Sequence, residues 1–274
     1  RSGLGNNSYD RYYENMDLND NLTGYNDRFE GQAELEDLLE TNLSYTKKFN
    51  NKAEWSTDLK WFRDQDIERS DYSENSSAFQ GERIEHSQVT MLENNFLAQS
   101  DFILPFLQEG KFETGVRMQI RDMENNFRFG ELTGNNWNYP PLYNDRYNYN
   151  ERVYAAYAMA SNTWKKFSVQ AGLRAEYSDI GTRQVSTNNS IDKNYLDLFP
   201  SAAVSFKHSE RQTFQLSYSR RISRPGQWDL MPYTKFGDNR ERRVGNAYLN
   251  PEYTNSLEAG ILQNWGSGSI LGSV

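Results

Sequence analysis

The residues best suited to chemistry in this sequence are few and scattered. There are two histidines, His86 and His208, on separate segments, and no cysteine. No His-Glu-x-x-His or comparable spacing unites them into a metal site, so they read as ordinary strand-end or surface residues. Asp17-Leu18-Asn19-Asp20-Asn21 begins like a calcium-binding loop. Its sixth position is Leu22, where the sharp turn needs glycine, and its twelfth is Arg28, where the ion needs an acid. It reads as a solvated loop. The sequons at Asn21, Asn42 and Asn75 read as chance matches. No nucleophile–base pair, phosphate-cradling glycine loop or pair of catalytic carboxylates can be argued. The expectation is a protein that is not an enzyme and uses no cofactor or metal.

Recognition chemistry is better represented. Trp137 and Tyr139 open an aromatic stretch that runs to Tyr143, and Trp228, Tyr233, Phe236, Arg240, Arg242 and Arg243 lie between Ser223 and Asn255. Large aromatics and arginines dominate the energetics of recognition surfaces. Trp137, Tyr139, Trp228, Tyr233, Arg240, Arg242 and Arg243 are therefore the candidate ligand contacts. The competing reading is that they pack on one another, or gather at a membrane interface where Trp and Tyr collect.

What must position these residues is legible in the alternation of side chains. Phe167 to Tyr177 places Phe, Val, Ala, Leu, Ala and Tyr on one face and Ser, Gln, Gly, Arg and Glu on the other. Strict period two over this length argues for a strand, and about 9–11 tilted residues suffice to cross a bilayer core. Phe112, Thr114, Val116, Met118 and Ile120 repeat the pattern, as do Phe214, Leu216 and Tyr218. Phe96 to Phe106 form another row, as do Leu39 to Tyr45 and, after a turn, Trp55 to Trp61. These rows carry no charge, as expected where a lipid-facing Lys or Arg costs roughly 2–4 kcal/mol. Glu113, Arg117, Arg174 and Glu176 stand opposite them and suit a wet lumen.

About ten strands follow: 37–48, 52–64, 85–107, 111–126, 148–164, 166–178, 197–208, 211–222, 254–265 and 268–274. Short turns near 49–51, 108–110, 164–166, 208–210 and 266–268 alternate with long polar connections at 65–84, 127–147, 178–196 and 222–254. Membrane barrels have short periplasmic turns and long extracellular loops, whereas a soluble sandwich enforces no such alternation. Composition agrees. Mean hydropathy is −0.92 and net charge −8, yet 14% of residues are aromatic, too many for a disordered chain. No apolar run is long enough for a transmembrane helix, and the acidic balance argues against nucleic acid as a partner.

The expected fold is all-β: part of an antiparallel transmembrane β-barrel in the bacterial outer membrane, with lipid as partner. Residues 1–36 read as a polar, aromatic extracellular loop segment and 37–274 as the partial barrel. About ten strands would be part of a larger barrel, so a fragment is expected, with a companion chain as the alternative.

Residues 197–260 carry a resemblance. Asp197-Leu198-Phe199-Pro200-Ser201 opens a strand, and Gln215-Leu216-Ser217-Tyr218-Ser219-Arg220-Arg221-Ile222-Ser223-Arg224-Pro225 leads into a long loop. Arg243-Val244-Gly245-Asn246-Ala247-Tyr248-Leu249-Asn250-Pro251-Glu252-Tyr253-Thr254-Asn255-Ser256-Leu257-Glu258-Ala259-Gly260 follows it. The two motifs, in this order around a long loop, resemble the signature of TonB-dependent outer-membrane receptors. Ser223 stands where the pattern has Asn, Ala247 where it has Pro and Asn250 where it has Lys. The likeness extends loosely over about residues 85–274. It implies a 22-stranded barrel of the transporter type with an N-terminal plug that this chain does not contain. It also implies TonB-energised uptake of a bulky nutrient such as a metal chelate, oligosaccharide or peptide. Pro225 and Pro251 cannot donate to a ladder, which independently places the end of one strand near Ile222 and the start of the next near Thr254. Two alternatives stay open: a non-transporting barrel that scaffolds a surface partner such as a lipoprotein, and a soluble all-β binding domain.

Overall fold

A computed structural model describes residues 2–107, 109–231 and 244–274. It contains twelve strands: β1 (Ser2–Met16), β2 (Leu22–Lys48), β3 (Glu54–Ser76), β4 (Arg83–Phe106), β5 (Gly110–Thr133), β6 (Asn136–Asn138), β7 (Asp145–Trp164), β8 (Phe167–Gln184), β9 (Asn189–Ser209), β10 (Gln212–Ser223), β11 (Glu252–Trp265) and β12 (Gly268–Ser273). All neighbours pair antiparallel in chain order, β6 adding only to the side of β5. One short helix, α1 (Gln227–Leu230), follows β10.

The register confirms the alternation. Thr57, Ser100, Val116, Ala156, Ala175 and Leu198 stand directly opposite one another across five ladders. So do Leu59, Ala98, Met118, Tyr154, Tyr177 and Leu196. Every apolar row read from the sequence thus falls on one face of one sheet. Register is fixed so strictly because a one-residue slip would turn a whole row to the opposite face. The polar atoms on this face satisfy each other: Trp55 Nε1 donates to Ser100 Oγ at 2.8 Å, and Thr57 Oγ1 lies 3.0 Å from the same oxygen.

The opposite face carries ions and their partners. Arg121 grips Glu93 with both Nε and Nη2, at 2.8 and 3.2 Å. Tyr157 donates its hydroxyl to Asp101. Its ring crosses Gly115, where a Cβ would lie 2.8 Å from the ring carbons and 2.4 Å from Asp101 Oδ1. Only glycine leaves that passage open.

Three expectations change. Residues 1–36 are not an irregular segment, since β1 and the first part of β2 form a hairpin there. Most of 65–84, 127–147 and 178–196 is also strand, and the connections shrink to 77–82, 134–135 with 139–144, and 185–188. Among the described residues the count is twelve strands rather than about ten, with all ten expected strands present and β1 and β6 added. The cause is the same throughout. Hydrophobic alternation ends where the apolar face ends, but backbone pairing does not need it. Beyond that point cross-strand ions and rings hold the ladders: Arg11 to Glu30 at 2.8 Å, Arg28 to Glu74 at 3.0 Å and Glu85 at 2.8 Å, and Tyr12 stacked on Tyr25. The calcium-like stretch is a turn in which Asp17 Oδ1 accepts the Asn19 and Asn21 amides at 2.8 and 2.9 Å.

Candidate functional site

Above the apolar rows, at the long-loop end, the polar face of the sheet gains a cover. The connection leaving β10 turns back onto it. Arg224 anchors the turn by donating from Nη2 to Glu176 Oε2 at 2.5 Å and to Ser178 Oγ at 2.9 Å. Arg174 holds the other carboxylate oxygen of Glu176 at 2.6 Å. Helix α1 then begins at Gly226, whose amide donates to Asp229 Oδ2 at 2.8 Å.

Leu230 and Met231 follow and are buried against Met123, Tyr147, Tyr149 and Ile180, with Met91 and Tyr195 at the margin. Tyr147 donates its hydroxyl to the Leu230 carbonyl at 3.3 Å. Burial pushes the Tyr147 phenol up to about 12 and raises Tyr149 as well, so both remain neutral donors at physiological pH. The chain returning towards β11 locks this arrangement. Gly245 N donates to the Met231 carbonyl at 2.7 Å and Asn246 N to the Asp229 carbonyl at 2.6 Å. A Cβ on Gly245 would sit 2.4 Å from the Met231 oxygen and 2.6 Å from the Asp229 oxygen. Lys193 reaches the Leu249 carbonyl from β9. The two sequence motifs around the long loop are thus the two halves of one clasp, hydrogen-bonded to each other and to the sheet.

The clasp roofs a hollow of about 180 Å³ lined by Asp66, Glu68, Val89, Met91, Asn125, Phe127, Trp228 and Met231. Burial, followed by the charges of Glu34, Glu68, Asp64 and Glu36, pushes Asp66 up to about 6. Burial likewise raises Glu151, against the opposing effect of Arg121 and Arg224.

The seven candidate contacts divide. Trp228 lies in this hollow. Trp137 and Tyr139 lie on the opposite side of the wall. They cover Gly130 of β5, where a Cβ would approach Tyr139 to 2.8 Å and Trp137 to 3.3 Å. Trp137 meets His86 edge-on at 6.2 Å between centroids, and Arg128 sits over the Tyr139 ring at 5.5 Å. His86, Arg128 and Gly130 share the side of the apolar rows, so these two aromatics are brought together with each other and not with Trp228. Tyr233, Arg240, Arg242 and Arg243 lie outside the described residues. Sequence reasoning missed Asp66, Glu68, Met91 and Phe127. Their parity on β3, β4 and β5 was a usable signal, but it needed the strands to be continued past the apolar stretch. Among the described residues no group of three or more His, Asp or Glu side chains is placed to hold a metal ion.

The profile of the outer membrane protein beta-barrel family matches residues 47–272, most of the sheet. The chain belongs to this family. Its place is therefore the outer membrane, its apolar rows face lipid, and the soluble alternative falls. No curated protein matches the sequence. Among solved structures the sheet is similar to the ferric citrate transporter FecA in its unliganded form (TM-score 0.53, 13% identity, 96% of this chain and 39% of that one). It is also similar to the ferric-catecholate import receptor Fiu from K12 E. coli (TM-score 0.51, 9% identity, 99% and 53%). A third likeness is to the copper transporter OprC (TM-score 0.51, 10% identity, 99% and 48%). At these identities the likeness concerns the fold. The chain spans about 39–53% of the length of these three structures.

Proposed function

We propose that this chain is the part of an outer-membrane receptor barrel that captures a bulky nutrient for TonB-energised uptake. The observation that carries the reading is the clasp. A bare wall would need no inward loop, yet the β10–β11 connection is fastened to the lumen-side face by Arg224 and closed on itself by Gly245, which bonds Met231. This narrows the interior at the long-loop end, the extracellular end of an outer-membrane barrel. A polar, aromatic constriction there is what a ligand meets first. The folds of FecA, Fiu and OprC, named as transporters or an import receptor, support the reading. In it, residues 1–36 stand in the extracellular half, and TonB acts through a plug contributed from outside these residues. The test is accumulation of candidate nutrients by cells that carry the full-length protein, with and without TonB. A nutrient whose accumulation requires both is expected. Accumulation indifferent to TonB would overturn energised uptake.

One observation favours a second reading, a barrel that scaffolds a surface partner such as a lipoprotein. Trp137, 43% exposed, and Tyr139, 44% exposed, stand on the outer side of the wall beyond the lipid rows, where no luminal ligand reaches them. Replacing both with Ser should then release a co-purifying surface protein without changing uptake.

A further inference from the structure

We propose that a groove on the lipid face holds one acyl chain of an outer-leaflet lipid in a fixed place. The inference rests on the membrane position of the sheet and goes beyond the capture reading. Two hollows adjoin on this face. One, of about 490 Å³, lies over Ala98, Ala156 and Ala175. The other, of about 380 Å³, lies against Phe49, Trp55 and Phe102. Ser100 and Val116 line both, which joins them into one groove.

Residue size cuts the groove. Its floor is the row Thr57, Ser100, Val116, Ala156 and Ala175, one residue from each of β3, β4, β5, β7 and β8. None is larger than valine. The next row on one side sets Met118, Tyr154 and Tyr177 next to each other. The next row on the other side sets Trp55 next to Phe102 and ends, on β8, at Leu173. Larger side chains thus stand on both sides of a floor of small ones. Chains wetting a smooth wall exchange freely, whereas a chain walled on both sides loses its freedom to slide away.

The floor selects the chemistry of the guest. The hydroxyls of Thr57 and Ser100 lie 3.0 Å from each other, and Ser100 also accepts from Trp55 at 2.8 Å. The rest of the floor is alkyl. A polar guest gains nothing there, and burial of apolar surface is what drives binding. The dimensions select a single chain. Five strands spaced about 4.8 Å apart make the floor roughly 19 Å long. Because barrel strands cross the bilayer tilted by about 45°, the row climbs obliquely through roughly 13 Å of depth, against about 15 Å for one leaflet of the hydrocarbon core.

The two ends of the groove orient the chain. Trp55 is the second residue of β3, beside the short turn. Beyond Tyr154 and Tyr177 the next outward row is Arg152 facing Asp179, where the apolar surface of β7 and β8 stops. The β8 end is therefore the extracellular one, with Tyr154 and Tyr177 at the headgroup level where tyrosines collect. The chain enters beneath these two rings and runs down to Trp55 and Phe102.

The test is native mass spectrometry of the full-length protein, held in detergent and titrated with dimyristoyl phosphatidylethanolamine. One lipid is expected to stay bound after excess detergent has stripped the others. Ala156→Phe fills the floor from the lipid side, where no packed core resists it, and should weaken that lipid at least tenfold. Leu216→Ala, on the lipid face of β10 outside the groove, should leave its affinity unchanged. The heat-modifiable gel mobility of the barrel reports that each variant is folded. No lipid retained by the wild type, or equal retention by Ala156→Phe, would overturn the proposal. So would a wild-type dimer that Ala156→Phe separates, which would give the groove to a second copy of the chain.

Discussion

Each long strand of this sheet passes through two environments, and its halves differ in what faces outward and what is buried. In the half next to the short turns, Val116, Leu173 and Phe214 point outward and are 57%, 50% and 42% exposed in the chain, because lipid is their cover. The other face there is polar. In the half near the long loops the outward face carries Arg128, Arg146, Asp179 and Arg183, while Tyr72, Phe127, Tyr147 and Tyr149 are buried on the inner face. The hydrogen-bonded ladder is the same in both halves. The solvent is not, and side-chain polarity follows the solvent. The comparison shows that the membrane specifies the lower wall from outside, whereas the upper wall is organised by its own loop packing from inside.

Exchanging the outward chemistry of the two halves should have the largest effect. Val116→Arg places a cation near the middle of the lipid face and should destabilise the barrel by about 2–4 kcal/mol. Asn194→Arg, outward but beyond the apolar rows, should change stability by about 0.5 kcal/mol or less. Urea titration of folding into lipid vesicles compares the two, and equal costs would refute the division.

The next effect concerns the inner face alone. Gly245→Val drives a side chain into the Asp229 and Met231 carbonyls, and overpacking of this kind costs typically about 1–3 kcal/mol. The clasp should detach while the barrel stays folded. Hydrogen exchange would show lost protection at Leu230 and Asn246 with the membrane strands unchanged.

Arg224→Gln should have a smaller effect. It removes the bond to Glu176, but Arg174 still neutralises that carboxylate. The net loss is on the order of 1–2 kcal/mol, read as faster exchange confined to the clasp and β8. Global unfolding at lower denaturant with a protected clasp would contradict the assignment.

The smallest effect is of pH. Burial raises Glu85 and Glu151 above the ordinary carboxylate value of 4.5. The folded state therefore binds these protons more tightly than the unfolded one. Their contribution to stability is fully present below about pH 4.5 and is lost as pH rises through the raised folded values. Exchange protection of the upper parts of β4 and β7, corrected for intrinsic rates, should fall as pH rises above the ordinary carboxylate value of 4.5, with the lower parts unaffected.

Much of the architecture was legible in residue order. Phe167 to Tyr177 announced β8, its face and its approximate length, because a residue between lipid and lumen has only two directions to point. The same logic fails for Asp66, Phe127 and Tyr147, which fall within the expected long connections 65–84 and 127–147. There both faces are polar or mixed, so alternation of hydrophobicity carries no signal although alternation of direction persists. Pro225 and Pro251 correctly bounded the β10–β11 connection, but nothing local to it disclosed which wall it would fold against. Grouping Trp137 with Trp228 as ligand contacts rested on residue type, and type does not say on which side of a sheet a ring lies.

Residue order alone specifies the lipid-facing rows, their strands and the membrane environment, since the cost of a charge in hydrocarbon acts on each position separately. It takes the folded sheet to bring Arg224 to Glu176, Gly245 to Met231, and Trp228 to a hollow shared with Asp66. Those contacts join residues distant in the chain, and their partners are chosen by register and close packing between strands, which no single segment encodes.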